Sequence, residues 1–330
     1  MTKLMPPKVS VILCTYNRCE LLSTILESLA ASMVPDSMDW EVLVVDNNST
    51  DDTRGVVESF RARHGDRFHY LFESTPGKSY ALNAGIGAAR GEIVAFVDDD
   101  VTVEPTWLRN LVVSLDTHDW AGVGGRTLTT NEVIPPDWLA LDGPYSLGGI
   151  LAAKFDRGDQ PCELEDTPFG ANMAFRRSMF QKYGRFRTDL GPSPNPDVPR
   201  PNEDTEFGRR LQAGGEHIGY EPSAVAYHPI VESRIDKLYF LRWWFDYGRA
   251  MIREAPKRPD VFGIPRLYLA IPKIMMTRLV PQTLRWIFSI DSKRRFFSKC
   301  WVWATIGEIR ERRRLCIEAR NEKLVPGGAS

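Results

Sequence analysis

Three observations predict an α/β fold with a mostly parallel sheet covered by helices on both faces. Apolar runs alternate with helix-period segments from residue 9 onward. The run Ile93-Val94-Ala95-Phe96-Val97 reads as a buried strand and delivers three successive carboxylates, Asp98, Asp99 and Asp100, where its backbone pairing ends. At 330 residues the chain has room for one large domain with an appendage, or for two domains.

The elements follow in order. Val9 to Cys14 is apolar and strand-length, Leu21, Leu22, Ile25, Leu26 and Leu29 recur at helical spacing, and Glu41 to Val45 is apolar again. Asp51-Asp52-Thr53 offers oxygens to cap a helix carrying Val56, Val57 and Phe60. A strand near Phe68 to Phe72, a small-residue helix from Ser79 to Ala89 and the strand ending at Asp98 complete the alternation. Two segments then break it: residues 131–168, rich in Pro and Gly, and residues 189–202, the five-proline run DLGPSPNPDVPRPN. Irregular loops of this length serve as lids or binding loops, or are disordered insertions. Glu203-Asp204 opens a helical pattern with Phe207 and Leu211 four apart, and His217 to Glu221 and Ala224 to His228 read as short strands. No period of 20 to 50 residues repeats, which argues against a solenoid.

The five cysteines form neither a paired framework nor a CxxC metal spacing, so a reducing, cytoplasmic setting is expected. No stretch has the roughly 18 uninterrupted apolar residues of a membrane span. The net charge of −1 hides an asymmetry. Residues 236–330 hold 20 Lys and Arg against 9 Asp and Glu, and residues 1–235 hold 22 against 34. That split suggests two parts with different partners, a body over 1–235 and a basic, aromatic-rich helical region over 236–330.

Adjacent carboxylates repel one another, and they sit together best when a hard divalent cation shares their oxygens. Mg²⁺ takes one or two protein carboxylates while substrate phosphates fill other positions. The acidic run therefore points to a nucleotide-diphosphate site. Thr15, Tyr16 and Asn17 follow the first strand into the same crevice, where Tyr16 either packs on a base or ribose or is a core tyrosine. Asp46 ends the second strand, placed to accept from a base imide N–H or to hold an Asx-turn. Lys78 is either a point charge for a base carbonyl or pyrophosphate, or a solvated lysine at a helix start. His228 is either a metal ligand that would favour Mn²⁺ or a satisfied surface histidine.

Seven motifs in order carry a resemblance to a known family. They are Thr15-Tyr16-Asn17-Arg18, the run Val45 to Asp51, the run Gly77 to Gly85, Asp98-Asp99-Asp100, Gly170-Ala171-Asn172-Met173-Ala174-Phe175-Arg176, Asn202-Glu203-Asp204 and Tyr227-His228. Over about residues 8–230 the chain resembles the inverting glycosyltransferases of family 2, which have the nucleotide-sugar-binding GT-A fold.

The resemblance implies transfer of one sugar from a nucleotide-diphospho-sugar, a UDP-sugar foremost, to a hydroxyl of a glycan or lipid-linked glycan in surface polysaccharide synthesis. It implies that the base met by Asp46 is uracil or a similar pyrimidine, that Asp98 meets the ribose, and that Asp100 binds Mg²⁺ or Mn²⁺ on the diphosphate. It also places Asp99 and Asn172 in the donor site. Asp204 becomes the base that deprotonates the acceptor, with Glu203 orienting the acceptor or Asp204; the competing reading is a helix cap.

Processive members carry QxxRW after the base, whereas here Tyr239-Phe240-Leu241 precedes Arg242-Trp243, so single addition is expected. Transfer to a polyprenyl phosphate would leave Glu203-Asp204 without a role, and a non-catalytic glycan-binding protein would not need Asp98, Asp100 and Asp204 together. Nucleotidyl transfer and dehydrogenation both call for glycines after the first strand that are not there.

In the basic region, Leu267, Ala270, Ile271, Ile274 and Met275 recur at helical spacing among cations, followed by Phe296, Phe297, Trp301 and Trp303. Residues 263–314 thus read either as an interfacial segment on the anionic inner face of a membrane, in contact through Trp301 and Phe296, or as a packed appendage. No nucleic-acid-binding module accompanies the charge.

Overall fold

The computed structural model describes residues 7–131, 133–254 and 273–324. The chain divides into two compact units: Met1–Val133 with Leu151–Val198 and Glu203–Val231, and Ile134–Ile150 with Pro199–Asn202 and Glu232–Ser330.

The first unit is built on one sheet. Among the described residues its strands are β1 (Val9–Thr15), β2 (Trp40–Asp46), β3 (Phe68–Phe72), β4 (Ile93–Asp98), β5 (Thr102–Val103), β6 (Gly122–Thr129), β7 (Cys162–Glu163), β8 (Asn172–Arg176) and β9 (Ile218–His228). Their order is β3-β2-β1-β4-β8-β6-β9-β5, with β7 paired to β9. The helices are α1 (Cys19–Ala30), α2 (Thr53–His64), α3 (Lys78–Ala88), α4 (Trp107–Thr117), α6 (Arg177–Tyr183) and α7 (Glu203–Ala213), and the short α5 (Gly148–Ala152) straddles the division of the chain after Ile150.

Alternate residues of the central strands face opposite cores. Val9, Val11 and Leu13 pack with Leu22, Ile25, Val57 and Trp107 on one face, while Ile12, Leu43, Val45 and Phe96 pack with Leu82, Phe180 and Phe207 on the other. Burial on both faces is why β1, β2 and β4 read as unbroken apolar runs. Parallel pairing holds for β3-β2-β1-β4. Beyond β4 the sheet is mixed, because β8 enters antiparallel between β4 and β6. The two short strands expected near the end are one strand, β9. Its pairing with β6 skips from Glu221 to Val225, and this bulge holds Pro222, which has no N–H to offer the ladder.

The small residues of α3 have a packing reason: a Cβ on Gly85 would stand 2.7 Å from Ile12 Cγ2, so the helix lies directly on β1. This close approach carries the start of α3 to the strand ends. There Lys78 N–H donates to Pro192 O (2.8 Å) and Ser79 Oγ donates to Leu190 O (2.7 Å). The proline-rich run from residue 189 is thus an ordered cap on a helix start, with Leu190 buried. In the other long loop Leu139, Leu147 and Leu151 are buried, which excludes the disordered insertion for that stretch.

The second unit contains α8 (Lys237–Glu254), α9 (Val280–Phe288) and α10 (Ser292–Leu324). A Cβ on Gly248 would meet Ala304 O at 1.8 Å and one on Gly307 would meet Phe245 O at 2.0 Å, so two glycines let α8 and α10 touch backbone to backbone. Glu311, fully buried, accepts from Arg249 (3.1 Å), Arg253 (2.7 Å) and Arg314 (2.7 Å). Several cations of the basic region therefore serve internal ion pairs. The expected boundary at 235 is also not the whole division, because Ile134–Ile150 joins this unit. Trp138 packs edge-on to Phe240 and Phe296, and Tyr145 packs on Phe297. Phe296 is buried in this aromatic cluster, which corrects the reading of that ring as a lipid contact, while Trp301 is half-buried and packs on Trp244. Leu267, Ala270 and Ile271 lie outside the described residues. Among the described residues no helix is long and apolar enough to cross a membrane.

Candidate active site

Three parallel strands end side by side. Thr15 pairs in register with Asp46, and Cys14 with Asp98, so the first-strand loop, Asp46 and the acidic run share one edge of the sheet. Crevices at such strand ends are where open α/β sheets bind ligands.

Three acids and a lysine converge there. Lys78 Nζ is 2.6 Å from Asp98 Oδ1 and 3.8 Å from Glu203 Oε1. Asp204 Oδ2 accepts the N–H of Gly170 (2.6 Å), and its Oδ1 accepts that of Thr205 (2.6 Å). A Cβ on Gly170 would lie 3.2 Å from Asp204 Oδ2 and 3.7 Å from Lys78 Nζ, so its lack of a side chain keeps this corner open. Burial alone would raise the Asp98 carboxyl, but the adjacent Lys78 ammonium outweighs it and the group lies below the usual carboxylate range. Lys78 is held well above the ordinary lysine value by Asp98 and Glu203, against its own desolvation. The reading of Lys78 as a solvated lysine does not survive this enclosure. Glu203 goes the other way: burial, then the neighbouring Asp204 charge, push it up to about 8.

Asp99 and Asp100 lie in a turn just past β4. The strand alternation therefore stops at Asp98, and the guanidinium of Arg18 reaches both Asp99 (2.7 Å) and Asp100 (3.2 Å). Asp99 also accepts from Thr15 Oγ1 (2.8 Å), and desolvation raises its carboxyl. His228, buried at the end of β9, has Nδ1 2.8 Å from Pro229 O and Nε2 3.4 Å from Asp100 Oδ1. A carbonyl can only accept, so Nδ1 carries a proton, and Nε2 is the ring nitrogen that faces Asp100. Among the described residues no group of three or more His, Cys, Asp or Glu is placed to hold a metal. The two-donor pair suits a cation whose remaining positions are filled by water and substrate phosphates.

The other predicted residues divide. Tyr16 is 57% exposed at the crevice, which removes the core reading. Asn17, at φ 52°, accepts from Thr50 N–H (2.7 Å) through its side chain while its own N–H donates to Ser49 Oγ (2.9 Å), tying the first two strand-end loops together. Asp46 accepts from Ser49 N–H (2.8 Å) through Oδ1 and from the Tyr70 hydroxyl (2.7 Å) through Oδ2, so it does hold a turn. Asn172 requires correction. It is buried in β8, accepts from Trp107 Nε1 (2.8 Å), and donates to Arg126 O (2.9 Å) and Ala224 O (3.0 Å). With its amide engaged on three sides, it braces the sheet in place of meeting the donor. Sequence reasoning gave no role to Arg18 or Tyr70. The cation directly after Thr15-Tyr16-Asn17 was the available signal for Arg18.

Residues 10–184 match the model of glycosyl transferase family 2, more than half of the chain. The chain belongs to that family. Among curated relatives it is 30% identical to a glucosyl-dolichyl phosphate glucuronosyltransferase of Haloferax volcanii, over 74% of this chain and 77% of the relative. It is 28% identical to the succinoglycan biosynthesis protein ExoM of Rhizobium meliloti, covering 73% of each. A solved structure of the mannosyltransferase PcManGT from Pyrobaculum calidifontis, in complex with GDP-Man and Mn²⁺, superposes with a TM-score of 0.60 at 20% identity, over 93% of this chain and 88% of that one. The protein is a family 2 glycosyltransferase with the GT-A fold, and the mixed sheet beyond β4 belongs to that architecture.

Proposed function

We propose that this family 2 glycosyltransferase moves one sugar, with inversion, from a UDP-sugar to a hydroxyl of a glycan or lipid-linked glycan in polysaccharide synthesis. The observation that carries the reading is the joint placement of Lys78, Asp98, Glu203 and Asp204 at one strand-end corner, beside the Asp100–His228 pair. The relatives, whose names refer to a dolichyl-phosphate-linked glucose and to succinoglycan, support the acceptor class.

Inversion needs the acceptor oxygen to attack the anomeric carbon from the face opposite the departing nucleoside diphosphate. The acceptor proton goes to Asp204, whose carboxylate the Gly170 and Thr205 N–H groups hold in place. Glu203, protonated at neutral pH, can donate a hydrogen bond that orients the acceptor. Asp98, kept ionised by Lys78, faces the donor ribose, and Tyr16 offers an exposed ring for stacking. Asp46 retains lone pairs beyond those used by Ser49 and Tyr70 and can accept from a pyrimidine imide. Asp100 and His228 would hold Mg²⁺ or Mn²⁺, a Lewis acid for the diphosphate as it leaves. A panel of UDP, GDP and dTDP sugars, assayed for binding and slow hydrolysis with Mn²⁺, tests the reading. UDP-sugars should be preferred; turnover confined to GDP-sugars, or a product of retained configuration, would overturn it.

A further inference from the structure

Helix α9, the π-helical segment Met275–Leu279 that leads into it and the residues just after it carry an apolar stripe that nothing among the described residues covers. Met276 (69% exposed), Val280, Leu284, Ile287, Phe288 (74%) and Ile290 (96%) are all exposed. Val280, Leu284, Ile287 and Phe288 stand at i, i+4, i+7 and i+8, the spacing of one helix face. The contacts of α9 set the direction of that face. Gln282 accepts from Thr305 of α10 (3.0 Å), and Trp286 packs on Trp303 with Lys299 over both rings. Gln282 and Trp286 thus point to α10, and the stripe points the opposite way.

The charge around the stripe is mostly positive, with Asp291 beside it and Glu308 paired to Arg278 (2.9 Å) as the acids. Residues 273–290 contain Lys273, Arg278 and Arg285 and no acidic residue, and Lys293, Arg294 and Arg295 follow Asp291. Lys273, Arg285, Lys293 and Arg294 are exposed. A water-facing helix with six large apolar groups in a row is unfavourable as it stands. A protein groove would cover the apolar face without calling for a cationic rim. The headgroup layer of an anionic bilayer meets both, because it takes apolar side chains to the acyl boundary while lysine and arginine remain among phosphates.

We infer that α9 lies in the surface of an anionic membrane, with Met276, Val280, Leu284, Ile287 and Phe288 as the inserted face and the flanking cations on the headgroups. The contact is peripheral and uses none of the residues assigned to the donor and acceptor chemistry.

The test is co-sedimentation of the full chain with vesicles of equal parts phosphatidylglycerol and phosphatidylcholine, and with phosphatidylcholine alone. The wild type should sediment with the mixed vesicles and at least about tenfold less with the neutral ones, since each cation near the surface contributes roughly fivefold. The double variant Ile287→Asp with Phe288→Asp should lose about tenfold or more in partition. Its circular dichroism melt should match wild type because both positions are exposed. Ile134→Asp, at an exposed apolar residue outside the stripe, should bind as wild type does. No sedimentation of the wild type, or equal sedimentation of the double variant, overturns the inference. A self-association seen by ultracentrifugation without lipid, abolished by the double variant, would assign the stripe to a second copy of the chain and overturn it too. Retained sugar transfer to a soluble acceptor by the double variant separates this result from any failure of the transferase reading.

Discussion

Asp204→Asn should separate chemistry from binding in the proposed catalytic corner. Asp204 accepts two backbone N–H bonds, from Gly170 and Thr205, one on each oxygen and each 2.6 Å long. An asparagine keeps one oxygen and turns the other position into a donor, so one N–H loses its acceptor. The loss of that charge-assisted bond should lower stability by about 1–3 kcal/mol. The catalytic loss should be larger. A general base contributes roughly 10²- to 10⁴-fold, about 2.7–5.5 kcal/mol of barrier, and an amide cannot take the acceptor proton. Isothermal titration with a non-reacting donor analogue should give a dissociation constant within about threefold of wild type, since no donor contact is assigned to Asp204. Single-turnover product formation should fall by the full factor at a temperature where the variant is folded. Turnover within tenfold of wild type would remove Asp204 as the base. So would a fall in donor affinity that accounts for the whole loss.

Other perturbations reach the neighbouring groups. Asp100→Ala, or excess EDTA on the wild type, should abolish metal-dependent donor binding; full turnover in EDTA contradicts a metal at Asp100 and His228. Glu203 has an ordinary value of 4.5 and is pushed up to about 8 in the folded chain, so the folded state keeps a proton that the unfolded state releases. Its stabilising contribution is complete below the ordinary value and is lost as pH rises through about 8. Thermal melts of wild type should therefore drop between pH 5 and 9 more than those of Glu203→Gln, and parallel curves would contradict the assignment. Gly248→Val puts side-chain atoms where a Cβ already meets Ala304 O at 1.8 Å, and should destabilise the second unit by about 1–3 kcal/mol or more in a denaturant titration. An unchanged midpoint would mean that α8 and α10 do not need that contact.

Local pattern alone was enough for β1 to β4 and for the helices between them. Strands buried on both faces must be continuously apolar, and a helix on the sheet must repeat its apolar residues every three or four positions. The acidic run at the end of β4, the opening of α7 by Glu203-Asp204 and the family itself were legible for the same reason: each is written in contiguous residues. Only the tertiary structure decided which groups meet. Arg18 reaches Asp99 across 81 residues, and Gly170 reaches Asp204 across 34. Asn172 sits in a motif that reads as donor-binding, yet the approach of β6 and β9 consumes its amide. The amphipathic code of the basic region is equally blind to partners. It marks Phe296 and Trp301 as apolar just as it marks Ile287 and Phe288. Packing of α8 against α10 buries Phe296, holds Trp301 half-buried against Trp244 and leaves Ile287 and Phe288 in water, because burial depends on which face a neighbouring helix covers and sequence periodicity carries no record of that.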